Sequence, residues 1–499
     1  MKSALHETLP IFNIDRADPT PLHKQIYDCY RAAILRGDLR PGGQILSSRE
    51  FAAELRVSRF PVLNAYSQLI AEGYLESRVG AGTFVSAALP EQQMSVPLSS
   101  GRTVAAPSGP RPVSRRSALY PSFPNNSNLR SWGSFGVHQP ALDQFPFTTW
   151  SGLIARHSRN PHVHAIHRID PRGAERFRNA ICDYLRTARG VKCAPEQILV
   201  VSGSQQALDI TARVLLDPGN SVWVEEPGYL LQRTVLNAAG CRLIPVPVDG
   251  EGMDVAAGIK RAPKARAAFV TPSHQYPLGS TMSASRRIQL LNWAHSAGAW
   301  VVEDDYDSEF RYESLPISSM HGLDLNARVI YIGTFSKVLF PSLRLGYIVM
   351  PPDLVDFFVA VRHAMDIFPP YLHQEVMADF ILEGHFTRHI RKMRQVYKER
   401  RSILIESLAH EFSSDRGFEI HGVEAGMHLA MTLPPDLPPS ITDSGISARA
   451  AESRLWLWPL SPSYGTSPPR QGFILGFGSS LPSQIPRAVR LMRSLISFI

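Results

Sequence analysis

Apolar positions near the start of the chain recur at helical spacing. Leu22, Ile26, Tyr30, Ala33 and Ile34 fall on one face of a helix that Gly37 stops. A second helix is expected after Ser48, carrying Phe51, Ala52 and Leu55, and a short turn through Val57 follows it. Ser58 is then placed to cap a third helix bearing Val62, Ala65, Tyr66, Leu69 and Ile70. Pro61 falls in the first turn of that helix, where a missing N–H costs little. After Gly73 the period changes. Tyr74–Glu76 and Thr83–Val85 read as short strands flanking the tip Arg78-Val79-Gly80-Ala81-Gly82.

Three helices and a glycine-tipped hairpin make a winged helix-turn-helix, whose third helix would enter a DNA major groove. Arg49, Arg56, Ser58, Arg59 and Arg78 are the candidate contacts, because guanidinium groups reach both phosphates and guanine edges. Periodicity alone leaves a small helical protein-interaction domain open as the alternative.

Between residues 89 and 135 the spaced apolar pattern stops and seven prolines appear among many serines. Such a stretch buries too little to offset its ordering entropy, so it is expected to be an extended, mobile linker. Its Arg111, Arg115 and Arg116 read as solvated charges, with an auxiliary phosphate contact as the alternative.

From residue 136 to 499 short β-branched runs alternate with helical stretches. Ile198–Val201, Val222–Val224, Ala267–Val270, Trp300–Val302, Val329–Ile332 and Ile348–Met350 are expected strands, and Arg286–Ser296 an expected helix. The pattern predicts an α/β domain with a largely parallel, buried sheet. Ligands of such sheets sit beyond the carboxyl ends of the strands.

Composition bounds the class. A chain of 499 residues exceeds what one core usually supports, and 44% hydrophobic residues suffice for a large one. The expected division is a lead over 1–19, a helix-turn-helix over 20–88, the linker over 89–135 and the α/β domain over 136–499. No run approaches the ~20 apolar residues that span a bilayer, and the first residues form no signal-peptide core. The expectation is a cytoplasmic protein that engages no membrane. Cys29, Cys182, Cys193 and Cys241 form no Cys-x-x-Cys pair, so neither a metal site nor a disulfide framework is indicated. The net charge of +8 is modest, and the linker holds five basic residues against one acidic. Charge therefore does not by itself indicate nucleic acid.

Polar clusters follow the strands. Ser202-Gly203-Ser204-Gln205-Gln206 offers free N–H groups at a helix start, where an anion sits well. Glu303-Asp304-Asp305-Tyr306-Asp307 is an acidic crowd that is costly at a buried strand end without a cationic partner. Gly333-Thr334-Phe335-Ser336-Lys337 follows another strand, with Arg344 beyond. A buried lysine loses its proton and can then form a Schiff base. Lysine, acid and anion cradle together suit a pyridine aldehyde phosphate.

Two resemblances carry these readings further. The segment PLHKQIYDCYRAAILRGDLRPGGQILSSREFAAELRVSRFPVLNAYSQLIAEGYLESRVGAGTFVS resembles the DNA-binding domain of GntR-family regulators. It departs at Phe60-Pro61, where that family usually carries small polar residues, which puts the base-reading residues in doubt. Residues 136–499 resemble fold type I aminotransferases, and the whole chain resembles the MocR subfamily of GntR regulators.

The resemblance implies pyridoxal 5'-phosphate as cofactor, Lys337 as its Schiff-base lysine, Asp304 at the pyridine nitrogen and Tyr306 at the ring hydroxyl. It implies Tyr229 stacked on the ring, a phosphate cradle of Ser204, Gln205, Thr334 and Ser336, and Arg344 at the phosphate or an effector carboxylate. The Asn-Pro-x-Gly turn common in the fold is replaced by TPSHQYPLG, whose His274, Gln275 and Tyr276 are either ring contacts or ordinary turn residues. Arg454 and Arg470 are the candidates for a C-terminal carboxylate clamp.

The combination implies a homodimeric, head-to-tail transcription regulator that binds a double-stranded operator and senses an amino compound, or the cofactor, through a Schiff base at Lys337. The alternative is a working aminotransferase with a regulatory DNA-binding domain.

Overall fold

A computed structural model describes residues 14–16, 18–78, 80–89, 112–120, 133–159, 170–312, 318–412, 417–436, 438, 440–466 and 469–496. The chain divides into two compact units, 1–112 and 113–499.

In the first unit, α1 (Leu22–Arg36) buries Ile26, Tyr30, Ala33 and Ile34 and ends at Gly37, whose φ of 81° is the left-handed cap glycine adopts without strain. The next helix, α2 (Ser48–Leu55), starts one residue earlier than the sequence reading placed it. Its cap is Ser47, whose hydroxyl accepts from the Glu50 N–H while the Glu50 carboxylate accepts from the Ser47 N–H. The third, α3 (Arg59–Ala71), has Ser58 at its cap position, but the Ser58 side chain makes no capping bond.

Strands β2 (Leu75–Arg78) and β3 (Gly82–Val85) form the expected hairpin, and β1 (Gln44–Ile45) adds a third strand that two residues of sequence do not announce. Tyr30, Phe51 and Tyr66 pack their rings within 5.1–6.3 Å of one another, and the Tyr66 hydroxyl donates to the Leu46 carbonyl at 3.0 Å. These contacts tie α1, α2 and α3 to the chain entering α2. Arg16, before α1, reaches the turn between α2 and α3, where it donates to the Arg56 carbonyl at 3.0 Å.

In the second unit, the described residues form an eight-stranded sheet. Its strands are β4 (Ile198–Val201), β5 (Ser221–Glu226), β6 (Arg242–Asp249), β7 (Gly252–Met253), β8 (Ala267–Val270), β9 (Trp300–Asp305), β10 (Val329–Thr334) and β11 (Gly346–Val349). They lie in the order β4-β11-β10-β9-β8-β5-β6-β7. The run from β10 to β6 is parallel; β11 and β7 are antiparallel. Strands β4, β8, β9, β10 and β11 are buried throughout, as expected of a sheet covered on both faces. A smaller sheet holds β12 (Glu419–His421), β13 (His428–Thr432), β14 (Trp458–Pro459) and β15 (Gly472–Gly476) in the order β12-β13-β15-β14. Among the described residues no helix is long and apolar enough to cross a membrane.

The linker expectation needs correction at two places. Residues 113–120 belong to the second unit, where the 3₁₀ turn Arg115–Leu119 packs against the helix Leu230–Ala238. Ala118, Leu119 and Tyr120 roof a cavity of about 500 Å³ there, with Arg233 and Tyr464 in its walls. Phe135 is fully buried in the core, and its N–H donates to Ser480 Oγ at 3.0 Å. Local composition cannot register either contact, because both partners lie more than a hundred residues away. Leu89, the first residue of the expected linker, is buried in the core of the first unit, and residues 90–111, with Arg111, and 121–132 fall outside the described residues.

Candidate functional site

Strand alternation sorts the acidic cluster. Strand β9 runs two or more residues past its apolar part, so Glu303, Asp304 and Asp305 are strand residues, and successive side chains take opposite faces. Asp305 is committed to the buried Arg189 at 2.7 Å and accepts from the Tyr331 hydroxyl, while Arg189 also donates to Ser273 Oγ at 3.0 Å. Glu303 accepts from the Met320 and His321 N–H groups at 3.0 Å each. Asp304, on the other face, keeps a buried Oδ1 with no hydrogen-bond partner. Burial and the neighbouring Asp305 push its pKa up to about 7, against the pull of Lys337. A pyridinium N–H is the kind of partner such an oxygen needs.

Lys337 follows β10 in the turn Thr334–Lys337. Burial lowers its amine to about 7; Asp307 and Asp304 oppose the shift and Arg344 adds to it. A substantial fraction of the amine is then unprotonated near neutrality, as addition to an aldehyde requires.

Of the two alternatives at the TPSHQYPLG turn, His274 lies at the site. Its Nδ1 is 3.0 Å from both the Tyr306 hydroxyl and an Asp307 oxygen. Gln275 is spent on the turn itself: its amide donates to the carbonyls of Pro227 (2.9 Å) and Tyr276 (2.6 Å), and its oxygen accepts from the Leu278 N–H. Tyr229 stands edge-on to Tyr276 with centroids 5.6 Å apart, and burial, helped by the charge of Asp304, raises its phenol to about 12.

The anion cradle opens the helix Ser204–Leu215. Gly203 takes φ 91° immediately before it, and the first N–H groups of that helix have no side-chain cap. The Arg344 guanidinium donates to the Ser202 carbonyl and stands 3.3 Å from where a Cβ on Gly203 would be. Ser336 Oγ is buried without a partner, whereas Thr334 Oγ1 accepts from the Ser336 N–H at 3.2 Å and so shapes the turn. Gln205 donates to the Leu231 carbonyl at 3.1 Å. An unpartnered carboxylate oxygen on Asp304, an unpartnered hydroxyl on Ser336, an uncapped helix N-terminus at Ser204 and a deprotonating lysine fit pyridoxal phosphate.

Neither expected carboxylate clamp joins this group. Arg454 is exposed beyond the helix Asp443–Glu452. Arg470 pairs with Glu419 at 3.0 Å and donates to Thr432 Oγ1 at 3.2 Å.

Sequence reasoning missed His138, His428, Leu460 and Ile474. His138 stacks on Tyr276 at 5.3 Å, His428 lies 5.5 Å from the same ring, and Leu460 and Ile474 pack with Tyr276 and Tyr306. Each comes from a separate segment, so no local spacing links them. His428 at the head of an apolar strand, HLAMT, is the one faint signal.

In the first unit Arg49, Arg56, Ser58, Arg59 and Arg78 are all exposed. Arg59 Nε donates to Ser48 Oγ at 3.1 Å, joining the starts of α3 and α2. Arg78 pairs with Glu76 across the hairpin face and lies over the Phe84 ring at 4.6 Å.

Residues 158–458 match the aminotransferase class I and II family, and residues 22–85 match the gntR family of bacterial regulatory proteins. The probable rhizopine catabolism regulatory protein MocR of Rhizobium meliloti is 40% identical over 96% of this chain and 95% of its own. The pyridoxine biosynthesis transcriptional regulator PdxR of Corynebacterium glutamicum is 29% identical over 93% of each chain. Among solved structures, the α-aminoadipate aminotransferase LysN of Thermus thermophilus superposes with a TM-score of 0.69 at 27% identity, over 78% of this chain and 98% of that one.

Proposed function

The chain belongs to the MocR subfamily of GntR-family transcription regulators, and on that premise we propose that it holds pyridoxal phosphate at Lys337 and reads an amino compound there to control DNA binding. The observation that carries this reading is the pairing of Lys337, lowered to about 7, with the unpartnered Asp304 oxygen in the same buried site. When bound, the cofactor supplies an aldehyde that exchanges one amine for another. Asp304 then holds the proton on the ring nitrogen, Tyr306 and His274 hold the ring oxygen, and Tyr229 covers the ring face. The first turn of the helix Ser204–Leu215, Ser336 and Arg344 hold the phosphate.

Domains of this fold dimerise, and a head-to-tail homodimer would present two DNA readers to an operator with two half-sites. Arg49, Arg56, Ser58, Arg59 and Arg78 are the proposed DNA contacts. Borohydride reduction of the purified protein followed by peptide mapping tests the cofactor reading. A phosphopyridoxyl group on Lys337 is expected, and its appearance on another lysine would overturn the assignment. The same residues suit transamination. A regulator should show amine-dependent change in operator affinity without sustained turnover of a keto-acid acceptor, and sustained turnover would favour the enzyme.

A further inference from the structure

The walls of the Lys337 site say what kind of amine it takes. Among the described residues, the groups whose positive charge acts on Lys337, His138 and His428 are Arg344, Lys337 itself and the imidazoles of His274 and His428, and His274 is already paired with Asp307 at 3.0 Å. Arg344 is engaged at Ser202 and Gly203, the phosphate end. Arg470 acts on the phenol of Tyr464, which packs against this wall, but it is spent on Glu419 and on Thr432 at the last position of β13, whereas His428 is the first. Four residues of strand separate them, about 13 Å at the usual rise.

Where a carboxylate clamp would be needed, the wall is instead apolar and neutral. Ile474 and Leu460 are fully buried beside Tyr276 and Tyr306. His138 and His428 complete it, both held neutral first by burial, then by Lys337 beside His138 and by His274 and Lys337 beside His428. His138 is kept at φ 68°, a conformation costly for a residue with a side chain and retained where the surroundings dictate it. Its ring is thereby fixed on Tyr276, 30° from parallel.

A carboxylate buried against Ile474 and Leu460 would lack a cation to offset its lost hydration. A hydroxyl both donates and accepts, which matches the neutral imidazole of His138, a phenol, and the Nδ1 of His428, whose Nε2 is already 3.1 Å from the Pro277 carbonyl. We propose that this site selects primary amines that carry hydroxyl groups and no carboxylate, with His138 and His428 binding the hydroxyls and Ile474 and Leu460 excluding the acid. The inference rests on the reading that the cofactor is held at Lys337.

The test uses the full-length protein loaded with pyridoxal phosphate and three probes on one ring: trans-2-aminocyclohexanol, trans-2-aminocyclohexanecarboxylate and cyclohexylamine. Each is titrated while the cofactor absorbance and the thermal midpoint are recorded. The amino alcohol should half-saturate at a concentration at least about tenfold below either of the others. His138→Ala and His428→Gln should each narrow the gap between amino alcohol and cyclohexylamine, and Ile474→Arg should improve the carboxylate. A loaded wild-type protein that binds the carboxylate as well as the alcohol overturns the selectivity alone. A protein with no borohydride-fixed cofactor on Lys337 overturns both this inference and the function it rests on.

Discussion

Asp304, Asp305 and Asp307 are neighbours in sequence that differ in what each already touches. Asp305 has Arg189 and Tyr331 on one of its oxygens, with the other unpartnered, and Asp307 has His274, whereas the unpartnered oxygen of Asp304 faces the charge of Lys337. Asp305→Asn should therefore destabilise the fold by about 3–5 kcal/mol, measured by denaturant unfolding, because it strands a buried guanidinium. Asp304→Asn should leave the cofactor-free fold as stable as wild type or more so, yet weaken cofactor binding by about 2–5 kcal/mol. Equal effects of the two on both readouts would refute the division of roles.

The pair Lys337 and Asp304 also sets a pH dependence. With Asp304 raised from 3.8 to about 7, the folded chain holds a proton between about pH 4 and 7 that the unfolded chain has lost, so stability falls as pH rises there. With Lys337 lowered from 10.5 to about 7, the unfolded chain holds the extra proton between about pH 7 and 10, so stability rises again. Cofactor-free wild type should thus dip near neutrality relative to the Asp304→Asn, Lys337→Ala double variant. Parallel stability curves from pH 4 to 10 would contradict both shifts.

At the scale of elements, the caps of α2 and α3 make opposite predictions. Ser47 closes a capping box, so Ser47→Ala should cost about 1 kcal/mol in the thermal unfolding of the first unit. Ser58 makes no side-chain cap bond, so Ser58→Ala should leave that stability unchanged while weakening operator binding if the hydroxyl meets DNA. A stability loss at Ser58 equal to that at Ser47 would mean that the hydroxyl caps α3 in solution. In the second unit, the helix Ser204–Leu215 depends on Gly203 at φ 91°. Gly203→Ala combines a positive-φ strain of about 1–3 kcal/mol with crowding of the Arg344 guanidinium. It should weaken phosphate-dependent cofactor binding more than it weakens binding of pyridoxal without the phosphate.

At the scale of the whole molecule, the proposed regulator needs two readers held together by the large domain. A fragment ending near Leu89 should bind an operator more weakly than the full chain, because the avidity of paired readers is lost. Within the full chain, Arg59→Ala should cost about 1–3 kcal/mol and relax preference at one position if it reads a base. Arg78→Ala in the hairpin should weaken all sequences alike and reduce the salt dependence, as loss of a phosphate contact does. Operator titrations at several salt concentrations separate the two, and equal affinity of fragment and full chain would remove dimerisation as the coupling element.

What the sequence determined by itself is what local spacing encodes. The faces of α1 and α3, the glycine that ends α1, the hairpin, and the strands around Lys337 and Asp304 all follow from periods and turn residues within a few positions of each other. The candidate residues Ser204, Asp304 and Lys337 were legible for the same reason, since each lies at or just beyond the end of its own apolar strand. The tertiary structure decided what depends on distant partners. Three adjacent acids became distinct because Arg189, Tyr331 and His274 claim two of them from other segments. Gln275 proved to be a turn residue, Arg454 is exposed beyond its helix, and Arg470 is held beside Thr432 because the register of β13 against β15 sets Gly472 opposite that residue. His138, His428, Leu460 and Ile474 meet only after the chain has closed over some 340 residues, and no window of sequence contains them together.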